Sequence, residues 1–384
     1  MRVVIDASFL VLPPSGTATY VRSLVQALSE VAPELDVRLI QPAWERDRSS
    51  LAPSRASVLL WPWQQRLRRA SWDIYGVWRR AARERPDLVH VPHFAAPVRA
   101  GCPLVVTIHD VIPLVLPKYR ASPWMRAHLA VMRRTVRAAR LILTPSRAAK
   151  DDIVRMLGVP SQRIRVTPEA AGPEFRPAED WTTVHETVAK FRIRGRYIFN
   201  VGGFDIRKNL PVLLEAFGRA LPRLQEPAQL VIAGAPHTAN PRVFPPMQPL
   251  IERLGLSGTV ILTGRVTEAE KLALYQGAAL YVTPSLYEGF GLTALEAMAC
   301  GVPTIAANRT SLPEVVGEGG ILVEPEPEPL ATAIAAVLND PVAAATWRAR
   351  ALTRAATFDW RRTAQLTLDA YREALLPEIA KGMR

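Results

Sequence analysis

Short runs of β-branched and aliphatic residues alternate with longer amphipathic stretches along nearly the whole chain. VVIDAS, VRLIQ, DLVHV, LVVTIH, LILTPS and RIRVTP read as strands of a first half. YIFNVGG, LVIAG, TVILTG, ALYVTPS, PTIAA and GILVEP read as strands of a second. Helical patterns lie between them, among them TYVRSLVQALSEV, residues 125–138 and 146–157, NLPVLLEAFGRAL, TEAEKLALYQG, residues 292–300 and PEPLATAIAAVL. Near-continuous apolar strands joined through helices belong to parallel sheets covered on both faces. A polar, irregular stretch from Ala170 to about Arg196, with Pro173 and Pro177, separates the halves. The rhythm predicts an α/β chain of two doubly wound parallel-sheet domains, residues 1–185 and 196–360, closed by an amphipathic helix over 361–384. ANPRVFPPM is a proline-rich loop to which the sequence assigns no role.

A chain of 384 residues is long enough for two cores. With 49% apolar and 22% charged residues it has a soluble globular profile. The most apolar long stretch, GCPLVVTIHDVIPLVLP, is cut by His109 and Asp110 and is too short for a membrane span. MRVVIDASFLVLPP is interrupted by Asp6 and lacks a convincing leader-cleavage pattern. Cys102 and Cys300 lie in apolar surroundings and read as buried thiols of a reducing compartment, so a cytoplasmic location is expected.

The net charge of +13 is not matched by any Cys/His finger spacing or aromatic RNA-binding ribbon, which argues against a nucleic-acid partner. It fits attraction to phosphate-bearing substrates or to an anionic membrane, and equally an arginine-biased composition. Between residues 57 and 85, Trp61, Trp63, Trp72 and Trp78 alternate with Arg66, Arg68, Arg69, Arg79 and Arg80. Such a segment suits a headgroup layer, and it equally suits a helix packed on its own domain.

In open parallel sheets ligands gather at the carboxyl ends of strands, and the cleft between the domains is the expected place. Gly16 follows the first strand and opens the first helix, where backbone N–H groups can hold an anion. His109 follows VVTI and could bond a sugar hydroxyl or share transition-state charge. His90 and His93 lie past a neighbouring strand, but sequence does not bring the histidines together, and no metal site is predicted. In VGGFDIRKN, Gly202 and Gly203 form a turn, and Arg207 and Lys208 precede a helix start, an anion-favouring place. In LYEGFGLTALEAMACG, Gly289 and Gly291 free backbone N–H groups at a second helix start. Glu296 lies on that helix, where a carboxylate could accept from a vicinal diol, and Glu288 stands before the turn. Two anion sites, a diol-binding carboxylate and a second carboxylate together describe a nucleotide sugar.

The stretch from ALYVTPSLYEGFGLTALEAMACG to GILVEP resembles the signature of the retaining glycosyltransferase family 4. VGGFDIRKNL, VVTIHDVIPL, LILTPSRAAKDDI, SQRIRVTPEAAGPEF and FDWRRTAQLTLDAYREAL extend the resemblance over nearly the whole chain. It implies the GT-B fold, two Rossmann-like domains facing across a cleft, with the last helix crossing back to the first domain. By the same resemblance Glu288 meets the donor sugar, Glu296 holds the ribose and Lys208 clamps the diphosphate. His109 stands by the scissile bond, and Phe290, Gly291 and Leu292 meet the phosphates. Two departures stand out. Many members have Gly-Arg where this chain has Gly202-Gly203, so Arg207 is the candidate arginine. Thr17, Ala18 and Thr19 follow Gly16 where close relatives often read Gly-x-Gly-Arg.

The implied reaction moves a hexosyl group, mannosyl from GDP-mannose first, to a glycan or lipid-linked acceptor without a metal or other cofactor. UDP-glucose or dTDP-rhamnose as donor, an epimerase or inverting enzyme of the same fold, and a non-catalytic basic binding protein are the alternatives. The charge and the Trp/Arg segment add a peripheral contact with an anionic membrane to the expectations.

Overall fold

The computed structural model of the protein describes residues 1–11, 15–42, 68–93, 101–120, 123–235 and 240–377. The chain divides into two compact units, Met1–Glu169 with Trp360–Arg384, and Ala170–Asp359. Each unit is built on a six-stranded sheet whose strand pairs are all parallel.

The first sheet comprises β1 (Arg2–Asp6), β2 (Asp36–Ile40), β3 (Leu88–Val91), β4 (Leu104–Thr107), β5 (Leu141–Thr144) and β6 (Ile164–Val166). Its order is β2-β1-β3-β4-β5-β6. The chain steps to one side of β1 and then to the other, so the sheet reverses direction between β1 and β3. β3, β4 and β5 are buried at every residue, as expected for strands covered on both faces.

The second sheet comprises β7 (Arg196–Val201), β8 (Ala228–Ala233), β9 (Val260–Gly264), β10 (Leu280–Thr283), β11 (Thr304–Ala307) and β12 (Ile321–Val323). Its order, β12-β11-β10-β7-β8-β9, places the reversal between β7 and β10. Successive residues of these strands enter opposite core layers because side chains alternate along a strand. Tyr197, Phe199, Val231 and Tyr281 join one layer with Leu295 and Met298 of the helix Leu292–Ala299. Ile198, Leu230, Ile232, Leu280 and Val282 join the other with Leu213 and Phe217 of the helix Leu210–Ala220.

Each of the twelve strands overlaps a segment read from the pattern, with β1, β2, β7 and β8 beginning one or two residues before it. The domain boundary differs. Residues 170–185, expected with the first domain, belong to the second unit. Phe175 is buried in the second unit's core, and a helix forms at Trp181–Lys190 in the stretch read as irregular. Asp180 caps it by accepting from the Thr182 and Thr183 N–H groups, and it packs on the helix Glu268–Gln276. Val184 and Val188 lie where a side chain at Gly277 would stand. Thr182, Thr183, Val184, Thr187 and Val188 are weak helix formers, so tertiary contact decides this element.

ANPRVFPPM also acquires a place. Val243 and Met247 are buried, and the Val243 carbonyl accepts from the Ile206 N–H at 2.8 Å, beneath the Arg207–Lys208 turn. Trp61, Trp63 and Arg66 lie outside the described residues. Trp72 is buried in the first unit's core with Trp78 packed against it, so these two tryptophans serve the fold rather than a headgroup layer. Cys300 is buried and Cys102 half-buried, and both are free thiols. Among the described residues no single helix is long and apolar enough to cross a membrane.

The helix Trp360–Leu375 packs on the helix Gly16–Val31 and against β3, β4 and β5 of the first unit. Tyr371 is fully buried, and its hydroxyl lies 2.7 Å from His90 Nδ1, while His90 Nε2 lies 2.8 Å from Thr107 Oγ1. Burial, and then the neighbouring His109 and His93, pull the His90 pKa down to about 3, so this ring is neutral. A neutral ring has one donor and one acceptor nitrogen, and the two hydroxyls satisfy both. Tyr371→Phe strands one buried nitrogen and is expected to lower stability by about 1–3 kcal/mol, read from the shift in urea midpoint.

Candidate active site

Gly202 follows β7 with φ of +151°, and a Cβ there would lie 2.9 Å from Lys208 Cε. Glycine is needed because the lysine stem fills the space a side chain would take. Gly203 completes the turn. Asp205 then accepts from the Arg207 N–H at 3.2 Å and pairs with Arg207 Nε at 3.3 Å. Asn209 adopts a left-handed backbone with φ of +54°, and its amide donates to the Pro284 and Pro325 carbonyls, each at 3.3 Å. The first bond ties the β7 turn to the loop that follows β10, and the second ties it to the segment after β12. Because β7 and β10 flank the reversal of the sheet, both loops lie at its ligand-binding switch point.

Glu288 stands in the β10 loop and closes the arrangement. Its Oε1 accepts from Lys208 Nζ at 2.7 Å and its Oε2 from Arg207 Nη1 at 2.6 Å. Arg207 Nη1 also donates to the Tyr287 carbonyl at 3.2 Å. Glu288 is 9% exposed and Lys208 7%, so the cluster is nearly out of water. Burial alone would push the Glu288 carboxyl up. The charges of Arg207 and Lys208, with hydrogen bonds from Lys208 and Ser285, overcome it and bring the pKa to about 2. Glu288 is therefore a carboxylate at every ordinary pH and no proton donor.

Gly291 caps the helix Leu292–Ala299 with φ of +111°, and a Cβ there would meet Leu312 Cδ2 at 2.9 Å. Gly289, Phe290, Gly291 and Leu292 thus form the entry to a helix that begins beside Glu288. Phe290 is buried with its ring edge against Phe358. Glu296, on the same helix, has a separate environment. Its Oε1 accepts from Lys271 Nζ at 3.1 Å and its Oε2 from the Tyr275 hydroxyl at 2.9 Å. Burial raises its pKa, against the opposing pull of Lys271 and Tyr275. A carboxylate offers about four acceptor positions, so these two bonds leave part of that capacity unused.

Gly16 and His109 belong to the first unit. Gly16 opens the helix Gly16–Val31 behind Ser15, whose hydroxyl accepts from the Ala18 N–H at 3.2 Å. A Cβ at Gly16 would meet nothing within 4 Å. His109 Nδ1 lies 2.9 Å from Glu169 Oε1 and its Nε2 lies 3.1 Å from the Pro92 carbonyl. Both nitrogens face acceptors, which calls for the doubly protonated ring. Burial lowers the His109 pKa, but the hydrogen bond and charge of Glu169, with Asp110 and Pro92, raise it on balance. The ring so held favours its charged form, and both nitrogens are engaged with acceptors.

The three histidines do not meet as metal ligands. His90 sits between two hydroxyls and His109 on Glu169. His93 Nε2 lies 3.1 Å from Asp6 Oδ2 and within 3.8 Å of Asp73. Ligand atoms of Asp6, Asp73 and His93 all lie within 4.8 Å of one another. The Arg69 guanidinium already reaches this group, with Nε 3.1 Å from Asp73 and Nη2 3.1 Å from His93 Nε2. It supplies the positive charge that the two carboxylates require.

Lys271, Tyr275, Thr310 and Ser311 were not foreseen. Lys271 follows Glu268 at helical spacing in TEAEKLALYQG, a pattern that reads as a solvated pair. Thr310 and Ser311 lie in the loop after β11 and touch Glu288 only because β10 and β11 are neighbours.

Two glycine turns, with the half-buried Arg207 and the buried Lys208 paired to one buried carboxylate, stand at the switch point of a Rossmann-like sheet, where such sheets bind ligands. The chain is a glycosyltransferase of the GT-B fold, related to family 4. Residues 14–174 match the family described as Glycosyltransferase Family 4, and residues 186–354 match Glycosyl transferases group 1. The O-antigen chain mannosyltransferase B of Escherichia coli is 28% identical, over 97% of this chain and 100% of its own length. The serotype-specific mannosyltransferase WbdA of Escherichia coli is 30% identical over 75% of this chain, which spans only 35% of that longer protein. Among solved structures, HepE of Anabaena in complex with UDP and glucose aligns with a TM-score of 0.71 at 18% identity, covering 97% of this chain and 100% of the other. Sucrose-phosphate synthase from Thermosynechococcus elongatus aligns with a TM-score of 0.70 at 21% identity, over 97% and 98% of the two chains.

The raised His109 pKa carries a sign. Charged His109 stabilises fully below its ordinary value of 6.5, and the gain fades as pH rises through the higher folded value. The melting-temperature gap between the parent and His109→Gln is expected to narrow from about pH 6 to about pH 9. A gap that is constant or widens over that range contradicts the charged assignment.

Proposed function

We propose that this glycosyltransferase moves a hexosyl group, mannosyl from GDP-mannose, with retention of configuration to a hydroxyl of a glycan or lipid-linked acceptor. The observation that carries the reading is Glu288 joined to both Lys208 and Arg207 beside a helix N-terminus. Bond breaking leaves charge on the diphosphate oxygen, and preorganised cations and N–H groups are most effective there. Lys208, Arg207 and the turn Gly289–Leu292 take that charge in this reading, with Gly202 and Gly203 admitting the phosphates closely. They do the work otherwise given to a divalent ion.

Glu288, held ionised, orients the sugar hydroxyls while the departing diphosphate receives the acceptor proton. That front-face course gives retention without a covalent intermediate. Glu296 accepts from the ribose diol. His109, whose charged form Glu169 favours, adds favourable charge in this reading, and Gly16 leaves room for the acceptor or the donor's anionic part. The two mannosyltransferase relatives support mannose as the transferred sugar. Contact with an anionic membrane draws support from the helix Pro123–Ala138. It carries exposed Arg126, Arg133, Arg134 and Arg137 and no acidic residue.

A donor screen with GDP-mannose, UDP-glucose and dTDP-rhamnose, read by mass spectrometry, tests the sugar; turnover greatest with either of the last two displaces the GDP-mannose assignment. Proton NMR of the product anomer tests retention. Glu288→Gln and Lys208→Ala are each expected to lower kcat by more than about tenfold. Glu296→Ala is expected chiefly to raise the donor KM. Parental turnover in both of the first two variants removes the site assignment.

A further inference from the structure

Two hydroxyls from the loop after β11 hold the backbone on either side of Glu288. The Glu288 N–H donates to Thr310 Oγ1 at 3.0 Å. Ser311 Oγ, fully buried, lies 2.9 Å from the Glu288 carbonyl and 2.6 Å from the Phe290 carbonyl. One residue further, Leu312 fills the space that a side chain at Gly291 would need. Thr310, Ser311 and Leu312 therefore form a template against which residues 288–291 are laid.

Two details separate this template from an ordinary turn. Thr310 has φ of +48°, a left-handed backbone that strains a β-branched residue and that glycine would adopt freely. Such strain persists only where the surroundings over-determine it, and it gathers at functional sites. What threonine brings that glycine lacks is the hydroxyl on Glu288. Ser311 occupies the N-cap of the helix Leu312–Val316 yet makes no side-chain capping bond to it. Its hydroxyl faces the Glu288 and Phe290 carbonyls instead, sharing its one proton between them.

We propose that Thr310 and Ser311 are positioning residues of the donor site, whose hydroxyls set the backbone of Glu288–Gly291 so that the carboxylate meets Lys208 and Arg207 while the helix start stays aimed at the diphosphate. The inference rests on the reading of Glu288 as a donor-site carboxylate. In this role neither residue needs to touch substrate. They act through the main chain of the residues that do, and a displacement of about 1 Å in such a group is enough to cost on the order of a hundredfold in rate.

The test uses the full chain and the nucleotide sugar with the highest turnover in the donor screen. Thr310→Ser keeps the hydroxyl, Thr310→Val keeps the branching and volume, and Thr310→Gly relieves the strain. Thr310→Ser is expected to stay within about threefold of parental kcat, with Thr310→Val and Thr310→Gly lower by about tenfold or more and the donor KM changed less. Thr310→Gly is expected to melt no lower than the parent, so its lost activity cannot be ascribed to unfolding. Parental kcat in Thr310→Gly or Thr310→Val overturns the inference, as does a Thr310→Ser variant as impaired as Thr310→Val. Lys208→Ala separates the two levels. If it loses turnover while Thr310→Gly does not, only the positioning role falls. If it keeps parental turnover, the donor-site reading falls as well.

Discussion

A nearly buried carboxylate held between two cations organises the second unit. Glu288 could not sit in a loop at 9% exposure without Lys208 and Arg207, and neither cation could approach the core without Glu288. Everything around the group serves that requirement. Gly202 yields space to the lysine stem, Asp205 braces the arginine, Asn209 ties the two loops together, and Thr310 and Ser311 hold the main chain of Glu288 itself. The parallel sheet brings the parts within reach by making β7 and β10 neighbours at the point where strand order reverses.

The same economy of charge appears in the first unit, with a different outcome. Asp6, Asp73 and His93 gather near the reversal between β1 and β3, and the chain answers with Arg69. His90 is kept neutral between Thr107 and Tyr371, whereas Glu169 favours the charged form of His109. Burial disfavours charge on both rings, and they differ because a carboxylate opposes that effect at His109 while only hydroxyls face His90. The closing helix contributes to that contrast, since Tyr371 comes from the far end of the chain.

Much of this was legible in the residues. Strand segments were read from apolar runs because strands buried on both faces have no other composition available. Arg207, Lys208, Glu288 and the glycines stood out because charge and flexibility at strand ends are anomalous in a core-forming region. The helix Trp181–Lys190 was missed because its threonines and valines favour other conformations until it packs. Trp72 was ambiguous because an aromatic among arginines has the same pattern in a core and at a lipid surface.

The order of apolar and polar residues by itself determined that there are two parallel-sheet domains, and it marked which loops carry the chemistry. Local periodicity encodes burial, and burial defines the strands. Which loops lie side by side was decided only by tertiary structure, because strand order is a property of the folded sheet and not of the spacing along the chain. The partnership of Glu288 with Lys208 spans 80 residues, and that with Thr310 spans 22. No local signal links them. They meet because β7, β10 and β11 lie in one row, and that row fixes which charges must share a site out of water.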